Sequence, residues 1–192
     1  IVIAVLGHFK PGVFHGLNDI LPIALISIAL AVILFSFSWR RSALKAWVYL
    51  LIGHFFIIAA IVINANHINS IELVFYGTGI FLAFFLGYSC LQRVKAVDND
   101  ISLDRFHGYA YEQKTTGLFF LIAAIGMLGF PVTAAFVGID VLFTYIQSTQ
   151  ITLVVLLGLC LVFIELAAFR ILLRIFMGPH KKLNHPVAFR SS

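Results

Sequence analysis

The chain contains 192 residues, of which 61% are hydrophobic and only 11% are charged, and its mean hydropathy is +1.04. These values exclude an ordinary soluble domain and predict an all-α integral membrane protein, a polytopic helix bundle in which residues 1–192 form a single transmembrane domain. The net charge of +5 comes from cations dispersed over three loops without interleaved aromatic residues, which excludes a nucleic-acid interface and is typical of loops beside anionic lipid headgroups.

The first residues of the chain do not form a complete span. The apolar run 1–6 is too short to cross a bilayer and lacks the charged start of a signal peptide. We therefore expect it to be the end of a truncated helix. His8 and Lys10 follow this run, and two readings of them stay open. They take part in ion transfer near a helix end, or they belong to a polar surface turn, which Pro11 and Gly12 indicate.

Four uninterrupted apolar segments are long enough to cross a bilayer, which takes about 20 residues at a rise of about 1.5 Å each. These predicted spans lie at residues 20–37, 46–63, 71–91 and 151–176. A fifth apolar segment, residues 115–146, is interrupted by helix-breaking residues.

The charges of the loops predict how these segments cross. Lys and Arg occur after the first, the third and the last uninterrupted span, whereas the connections 64–70 and 147–150 contain neither. Placing the basic loops in the cytoplasm satisfies the positive-inside tendency. With that orientation, residues 115–146 cross once and residues 177–192 form a basic cytoplasmic tail. We expect a multi-pass protein of the cell's inner (plasma) membrane.

The interrupted segment carries Gly129, Pro131 and Gly138, followed by the acid Asp140. Proline lacks an N–H group and clashes with the preceding turn, so the helix is predicted to break near position 131. Backbone groups freed at membrane depth need protein or a hydrated cavity around them. An acid beside such a break is a candidate ion or proton site. The alternative is a kinked packing helix whose acid lies near a wet end.

Two further ionisable residues lie deep inside predicted spans. Glu165 would lie close to mid-bilayer, where it is protonated, pairs with a cation on another helix, or merely locks packing. His54 lies near the middle of its span and titrates near neutral pH, which suits a proton relay, but a hydrogen-bonded interior histidine gives the same pattern. Arg170 and Arg174 are expected to extend toward the cytoplasmic tail.

The sequence carries no motif for hydrolytic or nucleotide chemistry: it has no P-loop, no G-x-S-x-G, no zinc spacing and no Rossmann glycine pattern. Residues 97–114 contain several acids and a histidine, but their spacing matches no calcium loop or zinc pattern, and we interpret them as a solvated connector. We expect neither a cofactor nor a metal. Any redox or hydration chemistry would therefore belong to a partner.

Several runs of residues resemble a known family. Residues 103–112, 117–124 and 129–138 together resemble the antiporter-like membrane subunits of respiratory complex I, a family that includes the Mrp-type cation/proton antiporters. The last helix, ending in residues 170–180, resembles the stand-alone proton-conducting members that work with a large soluble partner in inorganic carbon uptake. The resemblance extends over about residues 100–180.

This resemblance implies a multi-helix proton channel, with the present chain matching roughly its C-terminal third, and a discontinuous transmembrane helix over residues 115–146. It also implies other membrane subunits or a large soluble protein as partners. In the family, a proton-transferring Glu or Lys usually follows the Phe-Val-Gly run. Here Ile139 occupies that position and Asp140 comes next. The lysine and histidine of the family's second half-channel are matched most nearly by Lys10 and His8, although the spacing differs.

Two functions fit these features. In the first, the chain is part of a proton- or cation-translocating membrane subunit, with Asp140 as the titrating group and His54 and Glu165 as relay members. In the second, the same fold is a non-conducting membrane anchor or assembly subunit that docks a soluble partner. The second is motivated by Ile139 and by the absence of the first half-channel. For either function, the resemblance implies a membrane subunit of an NADH dehydrogenase-like or inorganic-carbon-uptake complex, and we expect no catalytic site in this chain.

Overall fold

The computed structural model describes residues 20–65, 70–129, 133, 136, 139 and 142–179. Within these ranges the protein is helical and contains no strand. The bounded helices are α1 (Ile20–Ser38), α2 (Ala43–Asn64), α3 (Ser70–Asp98), α4 (Lys114–Leu128) and α5 (Ile151–Phe176). Helices α1, α2, α3 and α5 are long and apolar enough to cross a membrane, which confirms the predicted all-α, membrane-type fold.

The helix ends differ from the predicted spans mainly in α3. This helix continues to Asp98, seven residues beyond the predicted end of its span. The extension stays helical because Leu91 and Val94 are fully buried against the bundle, while Arg93 and Lys95 point outward. The loss of hydrophobicity after residue 91 marks where the helix leaves the apolar layer, not where it ends.

Helices α2 and α5 lie at the centre of the bundle. Helix α2 packs against α1, α3 and α5, and helix α5 packs against α1, α2 and α4, while α3 and α4 pack against each other. The outward faces of the long helices carry large exposed apolar side chains, as expected for contact with lipid. Examples are Phe35, Leu82, Phe85, Val155 and Leu166.

A column of three buried aromatic rings joins the central helices. The Trp47 ring of α2 lies 5.1 Å from the Phe120 ring of α4, which stacks at 4.9 Å on Phe176 of α5. The Trp47 indole N–H also donates to the Phe84 carbonyl of α3 at 3.0 Å. All three rings are fully buried. The column therefore ties four helices together near one end of the bundle.

The connector between α3 and α4 closes that same end of the bundle. The Ala43 N–H donates to the Ile101 carbonyl at 2.9 Å, and the Leu103 N–H donates to the Arg40 carbonyl, so the connector is bonded to the turn between α1 and α2. Further along, three N–H groups donate to carbonyls in the last turn of α5. These bonds are His107 to Arg174, Tyr109 to Ile175 and Ala110 to Phe176. The interpretation of residues 97–114 as a freely solvated connector was therefore wrong for its backbone, which is part of the fold.

Side chains reinforce the connector. The Asp100 carboxylate accepts a hydrogen bond from the Ser102 N–H at 2.9 Å and pairs with the Arg105 guanidinium. The Tyr109 hydroxyl donates to the Asp98 carboxylate. Burial, followed by this bond to Asp98, raises the pKa of the Tyr109 phenol, so it remains a donor at physiological pH.

At the opposite end of the bundle, an amide pair joins α2 to the residues before α5. The Asn64 and Gln150 side chains exchange two amide hydrogen bonds of 2.9 and 2.8 Å, and the Asn64 amide also donates to the Tyr145 carbonyl. Because α2 runs from the connector end to Asn64, residues 145–150 lie at the far end from Lys114. This placement is the one required by a single crossing of residues 115–146, although the membrane orientation itself stays a prediction.

Close packing around Trp47 predicts a strong effect of Gly87→Ala. A Cβ atom at Gly87 would lie 2.5 Å from Cζ2 of the Trp47 ring, so the indole has to shift from its place in the aromatic column. We expect a loss of roughly 1–3 kcal/mol in the free energy of unfolding, measured by thermal denaturation in detergent. The matched control is Gly77→Ala in the same helix, because no atom lies within 4 Å of a Cβ added there. Equal stability of the two variants would contradict the packing described.

The connector predicts a pH-dependent effect of Asp100→Asn. The Ser102 backbone N–H, ahead of the Arg105 charge, lowers the pKa of the Asp100 carboxyl below its usual value. The contribution of this group to stability is therefore full above the unfolded pKa of about 3.9 and is lost as the pH falls through the lower folded pKa. We expect the variant to melt slightly below the parent at neutral pH, and the two melting curves to converge on acidification. A difference that grows in acid would contradict this account.

Candidate functional site

His54 lies at the centre of the bundle. It is eleven residues from the start of α2 and ten from its end, which places it about 15 Å from either terminus of the helix. Its side chain is 1% exposed. Buried, ionisable side chains of this kind are uncommon, and they usually require a hydrogen-bond partner.

Tyr76 of α3 is that partner. The His54 Nδ1 atom and the Tyr76 hydroxyl are joined by a hydrogen bond of 2.8 Å, and the two rings meet edge to face with centroids 5.9 Å apart. Tyr76 is fully buried. The Cys160 thiol of α5 lies near enough to interact electrostatically with the phenol and donates to the Ile26 carbonyl of α1 at 3.7 Å. Side chains from three helices therefore form a small polar centre inside an apolar bundle.

The second ring nitrogen of His54 is unsatisfied. Its Nε2 atom is buried and makes no hydrogen bond. The backbone of Met127, in the last turn of α4, lies close enough to interact with the imidazole. An unsatisfied buried polar atom costs about 1–3 kcal/mol, so its retention at this depth calls for an explanation.

The end of α4 supplies the surroundings of this nitrogen. Helix α4 ends at Leu128, and Gly129 adopts a left-handed conformation with φ 64°, which favours glycine because it has no Cβ. The Gly129 N–H donates to the Gly126 and Ile125 carbonyls. Since the last four carbonyls of a helix lack intrahelical partners, this cap leaves carbonyl oxygens of the final turn available beside His54.

The chemistry available at this centre is proton exchange. In a neutral imidazole one nitrogen donates and the other accepts, so a proton taken up on one side can be released on the other. The Tyr76 hydroxyl can donate to or accept from Nδ1, which permits either tautomer. Nε2 is then the ring nitrogen without a partner, and in the tautomer with Nε2–H it can donate toward a carbonyl acceptor. Among the described residues, no three His, Cys, Asp or Glu side chains converge as metal ligands.

Glu165 is not brought to this centre. Its side chain is exposed on α5, and no hydrogen bond or ion pair joins it to another side chain of the described ranges. Cys160 faces the polar centre, and five residues further along a helix correspond to a rotation of about 140°. Glu165 therefore points away from His54, and a direct relay between the two is not supported by the helix geometry.

The other predicted site residues lie outside the described residues. They are His8, Lys10, Pro131, Gly138 and Asp140. Of the predicted helix break, Gly129 is described, and it ends α4 two residues before the proline. Helical backbone is described again at Phe136, Ile139 and residues 142–144. A discontinuous helix over residues 115–146 stays a prediction.

Tyr76 was not singled out from the sequence. A signal was available, because a tyrosine inside an apolar span needs a partner for its hydroxyl, and His54 is the polar residue of the preceding span. The pairing itself depends on how α2 and α3 pack, which sequence spacing does not specify.

No protein-family model and no curated protein sequence matches the chain. The resemblance to antiporter-like subunits therefore remains an expectation from the motifs in residues 103–138 and 170–180.

The hydrogen bond between His54 and Tyr76 predicts a measurable loss of stability in Tyr76→Phe. The substitution keeps the ring but leaves both nitrogens of His54 without a side-chain partner, which costs about 1–3 kcal/mol in the free energy of unfolding. Thermal denaturation in detergent measures the difference. Tyr88→Phe on the same helix is the control, because the Tyr88 hydroxyl makes no hydrogen bond within the described ranges and should change stability by less than about 0.5 kcal/mol. An equal loss of stability in Tyr88→Phe would contradict a specific contribution of the His54–Tyr76 hydrogen bond.

Proposed function

We propose that the chain is part of a proton- or cation-translocating membrane subunit of an antiporter-like complex in the cell's inner (plasma) membrane. The observation that carries the proposal is the His54–Tyr76 pair, midway through the bundle, with a free imidazole nitrogen beside the last turn of α4. A proton relay needs a group that binds and releases a proton at membrane depth, and His54 meets that requirement.

The proposed route uses the end of α4 as its turning point. On the far side of Gly129 the chain continues through Pro131 toward Asp140, which we propose as the titrating group of the pathway. Asp140 substitutes, one position later, for the Glu or Lys of the resembled family. His54 would exchange protons with this region through Nε2, by way of water held by the carbonyls at the end of α4. Glu165, which is exposed on α5, would act only through a neighbouring subunit.

The proposed partners are the lipid bilayer and other membrane subunits or a large soluble protein. The exposed apolar faces of the long helices support contact with lipid or with further transmembrane helices. The driving reaction would be supplied by the partner, since the sequence carries no motif for redox or hydrolytic chemistry.

A second candidate function is a non-conducting membrane anchor or assembly subunit that docks a soluble partner. It is favoured by Ile139, which holds the position of the family's titrating residue and packs, partly buried, against the apolar core of the bundle. An apolar residue there cannot exchange a proton. In this reading the pair of His54 and Tyr76 would serve packing specificity alone.

Proton flux in proteoliposomes distinguishes the two functions. With the full-length protein, we expect His54→Gln and Asp140→Asn each to reduce flux at least tenfold, because each removes an ionisable group from the proposed route. The matched control is His107→Gln, since His107 lies in the connector at the basic end and bonds through Nε2 to the Ser102 carbonyl, away from the proposed route. Melting temperatures verify that all variants fold.

Three outcomes would count against the proposal or part of it. Unchanged flux in Asp140→Asn removes that residue from the mechanism, and unchanged flux in both variants removes the relay. A parent protein that conducts no better than empty liposomes, but still assembles with its partners on a native gel, supports the anchor.

A further inference from the structure

Three arginines from distant parts of the chain meet at the basic end of the bundle. Arg40 lies in the turn after α1, and Arg170 and Arg174 lie in the last turns of α5. Together with Phe37 and Asp104 they line a cavity of about 250 Å³ between α1, the connector and α5. The three guanidinium groups are close enough for Arg40 and Arg174 to repel Arg170 electrostatically.

Aromatic rings hold two of these side chains in place. The Arg170 guanidinium lies 5.3 Å from the centre of the Phe37 ring, and the Arg174 guanidinium lies 4.4 Å from the centre of the Phe106 ring. The Arg174 Nη1 atom also donates to the Asp104 carbonyl at 3.4 Å. Because the arginines are restrained by contacts that leave their charges intact, binding an anion at this cavity costs less side-chain entropy.

The positive charge of the cluster is not neutralised by the described part of the chain. Within the described residues, none of the three guanidinium groups forms an ion pair with a carboxylate. The nearby carboxylate of Asp100 pairs with Arg105 instead. Asp104 is the one acid that lines the cavity, and its attraction for Arg170 is weaker than the repulsion from the other two arginines. Like charges held together without a counter-charge are unfavourable, so the cavity is suited to an anion.

The surroundings of the cavity identify the source of that anion. Arg170 sits six residues before the end of α5, about 9 Å below the helix terminus, on a helix whose neighbouring side chains are apolar and exposed. Leu166, Phe169 and Leu173 form this apolar border. A ligand at the cavity therefore has its charged group among the arginines and its remaining bulk against an apolar, lipid-facing surface.

We propose that Arg40, Arg170 and Arg174 form a binding site for the phosphate group of an anionic phospholipid. Guanidinium groups bind phosphate oxygens through paired, charge-assisted hydrogen bonds, and three of them converge here from α5 and the turn after α1. Acyl chains of the lipid lie along the apolar border on α5. A free phosphate ion shares the headgroup chemistry but gains nothing from that border, so the site is assigned to lipid.

Native mass spectrometry of the detergent-purified protein tests the site. With phosphatidylglycerol added, we expect the parent to retain one lipid molecule in preference to phosphatidylcholine, and Arg170→Gln/Arg174→Gln to bind it at least about tenfold more weakly. The control is Arg41→Gln/Arg93→Gln, which removes the same charge from exposed positions outside the cavity. It should bind like the parent.

Three results would overturn the proposal. Equal weakening in both double variants would assign binding to general charge, and unchanged binding in Arg170→Gln/Arg174→Gln would exclude the cavity. Displacement of phosphatidylglycerol by inorganic phosphate at a similar concentration would assign the site to free anions. If the Arg170→Gln/Arg174→Gln variant is too unstable to purify, Arg40→Gln replaces it, because Arg40 lies outside the helices. Its phosphatidylglycerol binding is then compared with the parent and the control in the same way.

Discussion

Every polar group inside this bundle has to find its partner within the protein, because hydrocarbon supplies none. The hydroxyls of Ser27, Thr78 and Ser89 meet the requirement locally, each donating at 2.7 Å to the carbonyl four residues earlier. The Trp47 indole meets it across helices by donating to the Phe84 carbonyl. Against this background the free Nε2 of His54 is an exception. It lies in the interior of the bundle, where the Met127 backbone in the last turn of α4 is close enough to interact with the imidazole.

The fold places this exception beside the end of α4. Gly129 ends α4 well short of the length that a membrane crossing needs, whereas its neighbours α3 and α5 continue past it. The two ends of the crossing are nevertheless fixed. Connector bonds to α5 hold the start of α4, and the amide pair of Asn64 and Gln150 holds the segment before α5. The end of α4 at Gly129 therefore lies between these two fixed points and beside His54.

The sequence predicted the long helices because an apolar run of about 20 residues has few alternatives in lipid. It also predicted that His54 would be internal. It did not predict the extension of α3 to Asp98, because amphipathic helix beyond the apolar layer resembles a polar loop in hydropathy. The partner Tyr76 depends on the relative rotation of two helices. The arginine cluster depends on contacts between residues 40 and 170, which no local pattern records. The features that the sequence did not predict are therefore tertiary contacts. They are the helix faces that pack together and the charged residues that the fold brings close to one another.

The electrostatics of the basic end connect the two proposals. In the proposed relay, each unpaired guanidinium at a distance of about 16 Å disfavours a proton on His54 by about 1 kcal/mol in a medium of effective dielectric about 20. Three arginines with one nearby acid thus disfavour the protonated imidazole by about 2 kcal/mol, comparable to the coupling energies of allosteric regulation. An anionic headgroup among them cancels about half of it. A phospholipid bound at the proposed site would therefore favour proton uptake at His54 in addition to anchoring α5, because its negative charge offsets part of this repulsion.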